Sequence, residues 1–126
     1  MTSFANSSHP FPILRYADVL LLLAEAEGES PAAYALINQV RARATLPPVV
    51  ATIPSTFKDT LLHERRVEFG FENQRWHDLL RFGVAIQVMD AQLASQGVTL
   101  GPNNLLDPIS QTTLSANPKL VQNPGY

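Results

Sequence analysis

His63, His77, Glu64, Glu68 and Asp78 are the side chains of this 126-residue chain whose types could do chemistry. Imidazole and carboxylate together can hold a divalent metal or pass a proton. A di-metal site in a helix bundle needs Glu-x-x-His, repeated on a second helix. The sequence has no Glu-x-x-His, and both histidines lie close to arginines, which repel a cation. A metal-dependent hydrolase on His63, Glu64, His77 and Asp78 is therefore the least favoured reading. Covalent catalysis needs an activated nucleophile beside a base, yet there is no cysteine and no Gly-x-Ser-x-Gly turn. No glycine-rich loop offers a phosphate cradle. The chain reads as a non-enzyme with no cofactor and no metal.

The same residues make better sense as structure. Leu61–Arg81, LLHERRVEFGFENQRWHDLLR, holds eight of the chain's twenty charged residues, four of each sign. Apolar Leu61, Leu62, Val67, Phe69, Phe71, Trp76, Leu79 and Leu80 are woven between them. A surface helix keeps charges and apolar groups on separate faces, so some of these charges must border a core or enter it. Glu64, Glu68 and Glu72 share one helix face at i, i+4, i+8 and repel unless cations answer them. Arginine suits that role, because its fork matches a carboxylate and keeps its charge when buried. Glu64, Arg65, Glu68, Glu72, Arg75, Asp78 and Arg81 are thus expected to form an ion-pair network that fixes how helices cross. Loss of Arg65 or Arg75 would strand a buried carboxylate.

The elements that must position this network are helices. Pro12 suits the first turn of a helix, and Leu14, Ala17, Leu20, Leu21 and Ala24 follow at helical spacing up to Gly28. Ser30-Pro31 opens a second helix as N-cap and N1, with Leu36, Ile37, Val40 and Ala44 on one stripe before Pro47-Pro48. The short link between them forces an antiparallel hairpin like one tetratricopeptide unit, with no second copy visible. Leu46–Pro54 is a connector. Ser55 or Thr56 caps a third helix, Thr56-x-x-Asp59 fits a capping box, and this helix is expected to reach about Glu72. A bend at Phe71–Gln74 leads to a fourth helix from about Arg75 to Gln96, which Gly83 weakens and Gly97 ends. From Val98, prolines and glycines leave no room for a long helix. A tail of this length must be disordered or packed, and Leu105, Leu106, Ile109, Leu114, Leu120 and Val121 favour packing.

The expected architecture is all-α, with an irregular lead-in (1–11), a helical region (12–96) and an irregular, wrapping tail (97–126). A net charge of −2 gives no basic patch for nucleic acid. The apolar run Val19–Ala24 is too short to span a membrane, and the first residues lack the pattern of a signal peptide. Trp76 could stack on a sugar, although a core anchor with a satisfied N–H is the commoner fate. Tyr16, Tyr34 and Tyr126 are equally open. The four acids of Asp18–Glu29 read as a solvated helix face.

Four blocks carry a resemblance beyond this: ILRYADVLLLLAEAE (Ile13–Glu27), INQVRARATL (Ile37–Leu46), HERRVEFGFENQRWHDLLRFG (His63–Gly83) and DPISQTTLSANPKLVQNPGY (Asp107–Tyr126). Arg15-Tyr16-Ala17-Asp18, Glu64-Arg65-Arg66, Arg75-Trp76-x-Asp78-Leu79 and the final Asn123-Pro124-Gly125-Tyr126 make it specific. Together they resemble the C-terminal part of the SusD/RagB family, nutrient-binding lipoproteins of the outer membrane in Bacteroidetes. The resemblance implies an α/α superhelix fragment with a tetratricopeptide-like hairpin, two further helices and the wrapping tail. It implies non-catalytic binding of an oligosaccharide or other nutrient, and partnership with a SusC-like TonB-dependent transporter at the cell surface. By the family's pattern Glu64, Arg65, Glu68, Arg75, Asp78 and Arg81 are scaffold, with ligand contacts coming from variable loops, many of them in the earlier part of a full-length protein.

Family members are several hundred residues long and begin with a signal peptide and a lipidated cysteine. The chain as given carries neither signal nor anchor, so it is expected to be a piece of a longer protein with a surface that favours self-association. The rival reading is a stand-alone helical protein-interaction module without glycan binding.

Overall fold

The computed structural model describes residues 13–50 and 56–126, and every regular element among them is helical. Their contacts divide the chain into two compact units, one reaching to Gly70 and one starting at Phe71. Pro12 and Ser55, which the sequence offered as helix openers, lie outside the described residues.

The first unit holds α1 (Tyr16–Glu27), α2 (Pro31–Arg43) and α3 (Phe57–Glu68). The segment Ile13–Arg15 is not helical and Leu14 is exposed, so α1 begins later than the apolar spacing predicts. Gly28 caps α1 in the left-handed region at φ 65, and its N–H reaches the Glu25 carbonyl. The Ser30 hydroxyl accepts from the Ala33 N–H with Pro31 at N1, starting α2 as its dipeptide predicts. Three residues therefore separate α1 from α2, and the two pack on each other as a hairpin, α1 touching α3 more lightly. Ala17, Leu20, Leu21 and Ala24 of α1 meet Ala33, Ile37 and Val40 of α2 in the buried core. Small residues at these positions let the backbones approach.

Thr56 caps α3, its hydroxyl accepting from the Asp59 N–H while donating to the Asp59 carboxylate. The helix buries Phe57, Leu61 and Leu62, and Phe57 meets the Tyr34 ring edge-on at 5.5 Å. It stops at Glu68, a turn earlier than expected, because Gly70–Asn73 turns away with Phe71 and Asn73 both at positive φ. The connector after α2 is tied back by one amide. Asn38 Nδ2 donates to the Val49 carbonyl and the Val49 N–H donates to Asn38 Oδ1, which buries Val49.

In the second unit the single long helix expected from Arg75 to Gln96 is instead α4 (Arg75–Arg81) and α5 (Ala85–Leu93), with a 3-10 turn at Ala94–Gln96. Gly83, at φ 69, breaks it. Its N–H bonds the Leu80 carbonyl and the Val84 N–H bonds the Leu79 carbonyl, both 3.0 Å, which is the paired bonding of a Schellman C-cap. A 3-10 turn (Pro102–Leu105) and a short α6 (Gln111–Ala116) follow within the tail, so the described residues hold more helices than the two predicted beyond the hairpin.

The tail is folded on its own unit through polar ties. The Leu100 N–H donates to Asp90 of α5. Gln122 grips both the N–H and the carbonyl of Ile109. Asn123 reaches the Asp107 carbonyl and the Tyr126 hydroxyl the Leu106 carbonyl. Its apolar side chains are less covered than their number suggests, since Leu106, Leu120 and Val121 are exposed.

The Gly83 break can be tested by the sign of one substitution. In a continuous helix, Gly83→Ala would stabilise by about 1 kcal/mol. In the observed cap a Cβ meets no neighbour within 4 Å, but the left-handed backbone penalises it by about 1 kcal/mol. Urea unfolding should show destabilisation, with Gly83→Asn milder than Gly83→Ala.

Candidate functional site

The charged stretch supplies one end of a network whose other end comes from the hairpin. Arg65 of α3 is buried, and its Nη1 donates to Asp18 of α1 at 2.8 Å. Glu64 pairs with Arg41 of α2. Glu68 accepts from Arg15 at 2.8 Å and, through both oxygens, from Arg43 at 2.8 and 2.7 Å. One carboxylate at the end of α3 therefore holds the start of α1 and the end of α2. Arg15 also donates to the Glu68 backbone carbonyl at 2.9 Å, answering a peptide group that the helix end leaves open.

Phe69 sits at the centre of this arrangement and is buried. The Arg15 and Arg65 guanidiniums lie 4.9 and 5.0 Å from its ring centre. That is within cation–π range, and the planar guanidinium loses little by stacking on a ring. Arg41 adds a bond from Nε to the Pro47 carbonyl, tying the connector to the same cluster. In the second unit, Asp78 is buried and pairs with Arg81 one helical turn on at 2.9 Å, while Arg81 lies 4.6 Å from the Phe82 ring centre. Glu72 and Arg75 are half-buried around the turn before α4.

Asp18, Arg15, Arg41 and Arg43 are the partners that reading the charged stretch alone did not find. Asp18 was read as part of a solvated face, and the structure corrects this: it is buried against Arg65. The available signal was its place on the α1 wheel, at the edge of the face carrying Ala17 and Leu21. His63 and His77 are both exposed. Among the described residues no three His, Cys, Asp or Glu side chains gather as a metal set. Trp76 is half-buried, so it is neither the full core anchor nor a free platform. Tyr34 belongs to the core, while Tyr16 and Tyr126 are exposed.

A groove of about 520 Å³ runs between α1 and α2. Ala17, Leu20 and Val40 form its apolar floor, Tyr16 stands at one side, and Arg15 and Arg43 rim it. Both rim guanidiniums are already engaged by Glu68, so the groove offers an apolar floor and a ring more than an open charge. Among the described residues no helix is long and apolar enough to cross a membrane.

The network separates buried from exposed pairs, and so do its expected energetics. Asp18→Ala leaves the Arg65 guanidinium buried without its carboxylate and should cost about 3–5 kcal/mol. Arg43 is 65% exposed, and Glu68 keeps Arg15 when Arg43 is removed, so Arg43→Ala should cost about 1 kcal/mol or less. Denaturant unfolding of the two variants measures both. Equal losses would mean that the Arg65 pair is as solvated as the Arg43 pair.

Comparison with known proteins places this geometry. The model of the SusD family, SusD_RagB, matches residues 1–126, the whole chain. SusD-like protein P38 of Formosa agariphila is 38% identical over an alignment covering 90% of this chain and 24% of that protein. The crystal structure of a SusD superfamily protein from Bacteroides vulgatus superposes with a TM-score of 0.72 at 32% identity, over 90% of this chain and 27% of the other. NanU of B. fragilis gives a TM-score of 0.63 at 31% identity, over 92% of this chain and 27% of the other. The chain thus spans about a quarter of the length of the relatives it matches. Matched along its whole length by the family model, this all-helical chain belongs to the SusD family.

Proposed function

We propose that this chain serves non-catalytic nutrient capture at the outer membrane, in a protein that holds an oligosaccharide for a SusC-like TonB-dependent transporter. The observation that carries this reading is the family match along all 126 residues. The use made of the charged side chains supports it. The acids that could have served as proton donors, bases or metal ligands are paired with arginines: Asp18 with Arg65, Glu64 with Arg41, Glu68 with Arg15 and Arg43, Asp78 with Arg81. Each of these carboxylates is occupied by its guanidinium partner, and His63 and His77 are exposed.

The role of this segment in such a protein is scaffold. Its network sets the angle between helices, and the turn after α3 then presents Phe71, fully exposed with φ 67. A bulky side chain held out on a left-handed backbone is costly to maintain. Among the described residues it is the most exposed ring, and so the one we assign to stacking on a sugar face.

Isothermal titration with neutral and acidic oligosaccharides, with chromatography of the sugar afterwards, tests the reading. Saturable binding with the sugar recovered intact is expected for a polypeptide of full family length containing this segment, and Phe71→Ala should weaken it about tenfold, the worth of roughly one stacking contact. Cleavage of a glycosidic bond, or no saturable binding to any member of the panel, would overturn it.

A further inference from the structure

The second unit is held together in two different ways. Its helices bury Asp78, Leu79, Phe82 and Ala85, but from Ile86 to Tyr126 no residue is buried. Residues 98–126 therefore have no core of their own. They are fastened by single polar side chains on peptide groups. Asp90 of α5 accepts from the Leu100 N–H at 2.7 Å. Gln122 accepts from the Ile109 N–H at 2.8 Å and donates to its carbonyl at 2.9 Å. Asn123 donates to the Asp107 carbonyl, and the Tyr126 hydroxyl to the Leu106 carbonyl. One catch is a matter of shape. Gly125, at φ 95, lies so close to Asn103 that a Cβ there would meet its Nδ2 at 2.8 Å.

These catches are interlocked. The end of the segment lands on residues 103–109, and that stretch is joined to Leu100 through a turn in which the Gly101 N–H donates to Asn104 Oδ1 and the Asn104 N–H to the Gly101 carbonyl. Loosening either end thus loosens the other. A hydrogen bond open to water returns little when exchanged for one to solvent, and regions with few buried apolar contacts open before the rest of a protein does. A pivot is present where the segment leaves the helices: Gly97 is left-handed at φ 68, with nothing within 4 Å of its Cβ position. We infer that residues 98–126 are a strap that swings off α5 about Gly97 as one cooperative unit while α4 and α5 stay folded. Its release frees the Asp90 carboxylate and bares the side of α5 that packs on the turn Pro102–Leu105, a surface that exists only in the open state. The inference is independent of any bound sugar.

Hydrogen–deuterium exchange read by mass spectrometry tests it, on a polypeptide of full family length containing these 126 residues. Peptides from the strap should be protected about a hundredfold less than the peptide carrying Leu79 and Phe82. The decisive readout is reciprocal. Gln122→Ala should speed exchange about tenfold in the peptide carrying Leu100, which Gln122 does not touch, this being the effect of roughly two lost hydrogen bonds. Asp90→Ala should in turn speed the peptide carrying Ile109, severalfold for its one bond. Far-UV circular dichroism should match the parent in both variants, and the parent's own exchange pattern stands as a test should either variant misfold. Strap protection equal to that of the helices would overturn the inference. So would acceleration confined to the peptides that each side chain touches, which would mean separate fraying and no common opening.

Discussion

A guanidinium cannot be taken out of water without a counter-charge, and the burial of Arg65 is the constraint on which the first unit depends. Its side chain is 3% exposed. Leaving such a group unpaired costs several kcal/mol, whereas pairing it returns little net stability. The pair with Asp18 is therefore better understood as a condition than as a glue. α3 can dock on α1 only in the register that brings Arg65 to Asp18 and sets Phe69 between the two guanidiniums. Glu64 and Glu68, one turn apart on α3, then find Arg41 and Arg43 at the end of α2, where cations also complement the helix dipole. Any slip of one residue would rotate all three pairs out of reach at once.

What was legible in the sequence is what is local. Ser30-Pro31 specifies a helix start through atoms three residues apart, and Thr56 does the same with Asp59. The interleaving of charges and apolar groups in Leu61–Arg81 announced buried ions, but not their partners. Asp18 lies 47 residues from Arg65, and only its place at the edge of the α1 core face separates it from the solvated acids further along α1. The amide clamps of Asn38 on Val49 and Gln122 on Ile109 are invisible for the same reason. A side chain that clamps loop backbone 11 or 13 residues away leaves no periodicity.

Gly83 is the instructive exception, because its signal is local and was still misread. Apolar spacing continues through it from Leu79 and Leu80 to Ala85, Val88 and Met89, which argues for one helix. The competing signal is glycine followed by an apolar residue, Val84, at the positions where a Schellman cap wants them. The bonds to Leu79 and Leu80 decide for the cap. Periodicity alone cannot distinguish one long helix from two that share an apolar side across a tight turn.

The division of labour between charge and apolar surface carries through to function. The arginine–carboxylate pairs are consumed in fixing the hairpin to α3, which leaves the outer face of α1 as an uncharged stripe beside them. α1 shows this most plainly: its sequence is that of an interior helix, and half of that interior is open in the described chain. The hairpin is thus locked to α3 by charge on one side and shows an exposed apolar stripe on the other. The network then has a consequence at a distance. It fixes the direction in which that face points relative to α2 and α3.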